Sequence, residues 1–477
     1  MAAQNEERCK ISFKKTMSVY PKLLPPRTHI LSLSNLDRKC PTLMYLVLFY
    51  KSSQNLSVES LFTSLKRGLE GALSVWYPAA GRLIINSHSG KLDLFCDNSG
   101  AVLVQAAATQ VKLSELGDLS HYNKFYENLV YRPFFSGNFS DMPVVTAQVT
   151  RFGCGGFSLG VGISHSLFDG LATLEFLTAW ASLTAQSGFE GLGLFQPVHD
   201  RGRLLVEATQ NQYSAGEGTT RVVAFEHLHQ LIEQAANSSA TSVSTTAVSD
   251  LGSCKFSEIM GCSNQEGSYV LKTFRLTGLM IENLKRKVMI NGKNIGRACS
   301  SFEVVTAHLW KARTKALGLR KERRVCLQFA VDTRNKMNPP LPRSFSGNAY
   351  VLSSLSSTAG EVEEQSLETI VEKIKEAKGL ITDGYVNAYV KALDNPQRGL
   401  PPLPELTMVS DWTRMPFHAV DFGHGSAAYA YPLSPPLPQV AYLLQSPDDV
   451  LGGIDLRIGL LRQEEEAFTR YFLSYDL

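Results

Sequence analysis

His165 and Asp169 stand four apart in the run His165-Ser166-Leu167-Phe168-Asp169-Gly170. A neutral imidazole, with an ordinary pKa of about 6.5, suits proton removal near neutral pH. One chemistry it could serve is acyl transfer, in which an alcohol or amine attacks a thioester carbonyl while the ring takes the acceptor's proton; the bland alternative is a surface or core histidine with no catalytic use. Asp169 has two competing roles. It could orient the imidazole, as in a Ser-His-Asp triad, or it could be a buried carboxylate, paired with an arginine, that holds the turn in shape. Gly156-Phe157-Ser158-Leu159-Gly160 has the Gly-x-Ser-x-Gly spacing but falls inside an alternating, strand-like segment rather than at a strand-to-helix elbow. It therefore supplies no serine nucleophile, and direct one-step transfer is expected rather than a covalent acyl-enzyme.

These residues need elements to position them. Phe157, Leu159, Val161 and Ile163 alternate with Ser158, Gly160, Gly162 and Ser164, a period of two with small residues on one face. His165 ends this strand. A helix is expected from near Asp169 or Gly170, with Leu171, Leu174, Leu177 and Trp180 on one side. The small residues would let another backbone or a ligand come close, and Gly160 and Gly162 would leave room for a substrate beside the ring. Strands are also expected within 30–50, 91–104, 143–150, 268–276 and 325–331. The helical spacings fall in 61–76 (with Ser57 as N-cap), 227–236, 281–289, the segment after Ser300-Ser301, 366–385 and 463–472. The stretch 186–249, rich in Gly, Ser, Thr, Ala and Gln, reads as a crossover with two loops. The expected division is 1–190, a linker 191–250, and 251–477.

A chain of 477 residues exceeds one ordinary core. Its 44% hydrophobic and 19% charged residues describe a globular protein, and a net charge of +3 gives nucleic-acid binding no support. The longest apolar run, Thr42 to Tyr50, is too short to span a bilayer. Met1 to Lys15 lacks the apolar stretch of a secretory signal, so the sequons at Asn55, Asn138 and Asn237 carry no weight. The eight cysteines, Cys9, Cys40, Cys96, Cys154, Cys254, Cys262, Cys299 and Cys326, form no CxxC pair and no zinc pattern with histidine. A reduced, cytoplasmic protein without a metal is the expectation.

The run at His165, followed far downstream by Asp421-Phe422-Gly423-His424-Gly425, resembles the plant BAHD acyltransferases, whose signatures are HxxxDG and DFGWG. Further stretches look like family landmarks in the family's order. They are 31–37, 77–83, 301–310, Val331-Asp332-Thr333-Arg334 with Pro339-Pro340-Leu341-Pro342, Gly347-Asn348-Ala349, and Asp411-Trp412-Thr413-Arg414. The resemblance covers nearly the whole chain. It implies an α/β (α+β) fold like chloramphenicol acetyltransferase: two similar domains of mixed sheet flanked by helices, a long crossover loop and a central channel. It implies His165 as general base, acyl-CoA as co-substrate with no permanently bound cofactor, a small-molecule acceptor and a monomer. Asp169 would then be a scaffold residue paired with Arg334 and followed by Gly170.

The same resemblance makes Asp421, Gly423 and Gly425 a structural motif away from the base. His424 stands where tryptophan is usual, so local repacking is expected; it can also be read as a second base. Ser410 and Trp412 match a hydroxyl and an indole near the reacting centre, and either could donate to the oxyanion. The phosphates of coenzyme A call for a donor-rich mouth. Ser300 and Ser301, at a helix start with free N–H groups, are candidates. The basic runs 285–287 and 320–324 read as solvated faces. Side chains near 34–37, 302–306 and 380–398 are expected to choose the substrates. The alternative is a non-catalytic member of the fold acting as a binding or regulatory protein.

Overall fold

The computed structural model describes residues 11–23, 27–39, 41–51, 58–185, 195–205, 220–239, 269–291, 299–394, 403–433 and 440–474. It divides into two compact units. The first comprises 1–213, 339–349 and 415–434; the second comprises 214–338, 350–414 and 435–477. The expected boundaries follow the chain continuously, whereas each unit gathers separate segments of it.

In the first unit the strands are β1 (Ser12–Val19), β2 (His29–Leu31), β3 (Leu43–Tyr50), β4 (Arg82–Ile85), β5 (Leu92–Cys96), β6 (Ala101–Ala108), β7 (Val145–Phe152) and β8 (Phe157–Ser164). In the second they are β9 (Tyr269–Leu276), β10 (Arg324–Asp332), β11 (Tyr350–Thr358) and β12 (Leu406–Asp411). Then β13 (Tyr429–Leu433) belongs to the first unit, and β14 (Val440–Gln445) and β15 (Ile454–Leu461) to the second. The first unit carries a mixed sheet in the order β1-β6-β7-β8-β3-β13, with β6 and β7 parallel. The second carries β11-β10-β12-β14-β15-β9, with β12 parallel to both its neighbours. A small sheet, β2-β5-β4, completes the first unit.

The helices of the first unit are α1 (Asn35–Arg38), α2 (Val58–Val75) and α3 (Gly170–Ala185). Those of the second are α4 (Val223–Ser239), α5 (Gly278–Asn291), α6 (Ser301–Leu317), α7 (Ala359–Glu364), α8 (Leu367–Gly379), α9 (Asp383–Ala392) and α10 (Glu465–Leu473). The two mixed sheets flanked by helices are the expected fold class. None of the described helices is long and apolar enough to cross a membrane.

Two elements depart from the expected bounds. The stretch 91–104 breaks after Cys96, because Asn98 (φ 61°) and Gly100 (φ 84°) take left-handed backbone; a Cβ on Gly100 would also lie 2.6 Å from Val19 O. The helix expected over 366–385 is two helices. Thr382 interrupts it by accepting the N–H of Tyr385 on its hydroxyl, starting a new N-terminus. The proposed cap Ser57 lies outside the described residues, as do 216–219 and 240–249 of the expected crossover loops, while 238–239 belong to α4.

Candidate active site

The turn at His165 grows out of β8. Ser164 O accepts from Leu167 N (3.0 Å) and Phe168 N (3.3 Å), so the chain curls through the histidine. Leu167 and Phe168 enter the core while His165 stays half-buried. The backbone of His165 is held on both sides. Its N–H donates to Thr42 O at 2.9 Å, and its carbonyl accepts from Asn348 Nδ2 at 2.6 Å.

Asp169 closes the turn as the N-cap of α3. Its Oδ1 accepts from Ala172 N (3.0 Å), and its backbone oxygen from Thr173 N (2.9 Å). Its Oδ2 accepts from Ala349 N at 3.1 Å. One buried carboxylate therefore ties together the turn, the helix and Ala349. Arg334 belongs to the second unit, where Asp332 Oδ1 accepts both its N–H (3.0 Å) and its Nη1 (3.2 Å). At Gly170, a Cβ would come within 2.6 Å of Met415 Sδ, the end of a flexible side chain.

The space expected beside Gly160 and Gly162 is filled by the protein itself. A Cβ on Gly160 would lie 1.9 Å from Leu129 O, and one on Gly162 2.5 Å from Thr146 Oγ1. The small residues do permit a close approach, but what approaches is protein rather than substrate.

Behind the turn lies a network that sequence reasoning missed. Asp37 Oδ1 accepts from both the N–H (3.1 Å) and the Nδ2 (2.8 Å) of Asn348, while Asp37 Oδ2 pairs with Arg201 Nε at 3.0 Å. Asp37 and Asn348 are 0% exposed and Arg201 1%. Ser34 and Asp37 also form the capping box of α1. Residues 34–37, expected to select substrates, are thus buried in this support. The Ser-x-x-Asp spacing could have disclosed the cap, and Asn348 lies in the Gly347-Asn348-Ala349 landmark of the resemblance, though without an assigned role; nothing local in the sequence marks Arg201.

The Asp421 loop is built differently. Asp421 Oδ1 accepts from the N–H of Gly423, His424 and Gly425 at 2.8, 2.8 and 2.9 Å, so the carboxylate makes a turn. Gly423 (φ 88°) and Gly425 (φ 84°) supply left-handed backbone. Phe422 is buried, edge-on to Trp180 of α3 (5.3 Å) and near Tyr50 of β3 (6.2 Å). The His424 ring meets Phe157 edge-on at 5.6 Å, at the first residue of β8. The turn at His165 follows the last residue of that strand, roughly 23 Å away at 3.3 Å per residue. A second base at the same reacting centre is therefore not what His424 provides. Burial pushes its pKa below the usual value; Asp421 opposes this and Arg151 adds to it.

In the second unit, Trp412 Nε1 donates to Ser410 Oγ at 3.0 Å, which orients both side chains. Ser300 is the N-cap of α6. Its hydroxyl accepts from Glu303 N (3.3 Å), and its N–H donates to Glu303 Oε2 (2.8 Å). The Glu303 carboxylate, paired with Lys378 at 2.7 Å, already serves that helix end. Among the described cysteines, burial pushes the thiols of Cys96 and Cys326 up to about 12, so neither is a nucleophile at neutral pH.

Residues 9–472 match the family model described as the Transferase family. The chain is 48% identical over 478 residues to a protein of Arabidopsis thaliana named brassinosteroid-related acyltransferase 1, covering 98% of each. It is 30% identical over 465 residues to omega-hydroxypalmitate O-feruloyl transferase of the same species, covering 95% of this chain and 92% of that one. In fold it is similar to vinorine synthase, with a TM-score of 0.69 at 20% identity and 96% of each chain covered. It is also similar to TRI101 of F. graminearum, crystallised with coenzyme A and T-2 mycotoxin, with a TM-score of 0.66 at 15% identity, covering 92% of this chain and 96% of that one.

Proposed function

The chain belongs to the Transferase family, the plant BAHD acyltransferases that its sequence resembles, and from that premise we propose that it transfers an acyl group from acyl-CoA to a small acceptor with His165 as general base. The observation that carries the reading is His165 held by its own backbone at the end of β8, on a turn that Asp169 closes. The neutral ring takes the proton of the acceptor hydroxyl or amine as that atom attacks the thioester carbonyl. A new ester or amide bond forms and the C–S bond breaks. The proton passes from the imidazolium to the departing thiolate, releasing free coenzyme A.

Ser410 and Trp412 are the proposed oxyanion donors. Ser410 is the better of the two, because the indole N–H already donates to its oxygen. Ser300 and Ser301 are carried forward as the coenzyme A side. Because Ser300 serves its own helix, Ser301 is the residue to vary there. The pairing of Asp169 with Arg334, a monomeric state and a cytoplasmic location belong to the same proposal. The acceptor class is a plant specialised metabolite or hormone. The name of the 48% identical relative directs the search to brassinosteroid hydroxyls first.

A screen of acyl-CoA donors against acceptors, read as acceptor-dependent release of free coenzyme A, tests the reaction. His165→Ala is expected to lower the rate at least roughly a hundredfold while leaving the fold intact. A fully active His165→Ala protein sinks the reading. Acyl-CoA should also raise the melting temperature by mass action, whereas a member of the fold that does not bind the thioester would show no shift.

A further inference from the structure

We infer that Asn348, anchored by Asp37 and Arg201, is a positioning residue that sets the aim of His165 through its backbone carbonyl. The inference rests on His165 being the base and goes beyond it by naming what holds the base in place. Asn348 Nδ2 lies 2.6 Å from His165 O and 2.8 Å from Asp37 Oδ1, and both neighbours are acceptors. Only the amide nitrogen can face two acceptors, so the orientation of the Asn348 side chain is fixed by chemistry. Its backbone N–H donates to the same Asp37 oxygen at 3.1 Å, and Ala349 N donates to Asp169 Oδ2 at 3.1 Å. Two donors from adjacent residues, Asn348 Nδ2 and Ala349 N, thus stitch this segment to both ends of the His165 turn, and the Asn348 backbone N–H ties it to Asp37.

The anchor is charged. Asp37 Oδ2 pairs with Arg201 Nε at 3.0 Å, and Arg201 Nη1 donates onward to Ser346 O at 3.0 Å. The network therefore closes on the segment that carries Asn348. All three side chains are buried, where charge-assisted bonds are strong and a partner cannot be replaced by water. A strand-end residue carried by a carbonyl clamp on one side and Thr42 on the other has little freedom to swing. Base catalysis depends on that geometry, because a displacement of about 1 Å can cost roughly a hundredfold in rate.

The test compares Asn348→Ala with Gln328→Ala, which removes a buried amide that donates to Ala224 O at 2.8 Å in the second unit. Both variants are expected to lose melting temperature. Asn348→Ala should lower kcat roughly ten- to a hundredfold with KM for acyl-CoA within about twofold; Gln328→Ala should leave kcat unchanged. Histidine ring signals in NMR give a readout that needs no turnover. The His165 line, assigned by its loss in His165→Ala, should shift or broaden in Asn348→Ala, while the other nine histidines move little. Unchanged kcat, or an unchanged His165 line in a folded Asn348→Ala protein, overturns the inference. Wild-type protein without acyl transfer would instead count against the function, and the NMR arm would still decide the role of Asn348. Should Asn348→Ala not fold, Asn348→Asp keeps the shape but turns an oxygen toward two acceptors; it is expected to disturb the same signal, and an undisturbed one overturns the inference equally.

Discussion

Asp169 and Asp421 both gather backbone N–H groups in the first unit, but the groups come from different places. Asp421 collects three, all from the next four residues of its own loop. Asp169 collects one from its own helix and one from Ala349, 180 residues away. The first carboxylate folds a loop on itself; the second joins distant segments around His165, the proposed base. Their exposure differs in the same sense: Asp169 is buried, while Asp421 is exposed and its donors can turn to water. A local turn can therefore be damaged without moving the site, and a non-local one cannot.

Breaking the non-local turn should have the larger effect. In Asp169→Asn the cap to Ala172 can survive, since asparagine caps helices as well as aspartate does. The other position then presents an N–H to the Ala349 N–H, and the tether is lost. The expected outcome is a stability loss of about 1–3 kcal/mol in urea unfolding, together with a drop in kcat of roughly tenfold or more as the base loosens. An intact, equally stable fold with abolished chemistry would return Asp169 to the role of imidazole partner.

That difference also explains what could be read in advance. The His165 run and the Asp421 loop are contiguous, so residue types and spacing suggest a candidate base and a tight turn, and the family's ordered landmarks give the His165 run its weight. The period of two in β8 gave the strand its limits, Phe157 to Ser164. Asp37 meets Asn348 across 311 residues and Arg201 across 164, and no short-range pattern encodes such a meeting. Gly160 and Gly162 signal that something comes close without saying what; the answer, Leu129 O and Thr146 Oγ1, is tertiary. The break between α8 and α9 hides for another reason. Apolar residues continue through Leu380 and Ile381, and only the Thr382 hydroxyl starts the new helix.

Asp421→Ala sharpens the comparison from the other side. Three N–H groups lose their acceptor, but the loop is exposed and water can replace it. Stability is expected to fall by about 1 kcal/mol, with kcat within about twofold of the parent. Equal losses of kcat in Asp421→Ala and Asp169→Asn would erase the distinction between the two turns.

Acid should separate the regions more gently. His199 is buried beside the Arg201 network, with Nε2 3.2 Å from Val75 O, and burial pushes its pKa down to about 4. His424 on the Asp421 loop is also lowered by burial, but is less enclosed. For both, the folded state holds the proton less tightly than the unfolded chain, whose histidine titrates near 6.5. The contribution is thus complete above pH of about 6.5, is lost as pH falls from there toward the folded pKa, and is constant below it. For His199 the window is 6.5 to about 4, and the loss reaches about 3 kcal/mol. His199→Gln keeps a donor for Val75 O and removes the titration. Urea midpoints followed from pH 7 to 4 should therefore fall less steeply in His199→Gln than in the parent, with His424→Gln showing a smaller flattening. An unchanged acid slope in His199→Gln would mean that the buried network behind the base is not where the first unit yields to acid.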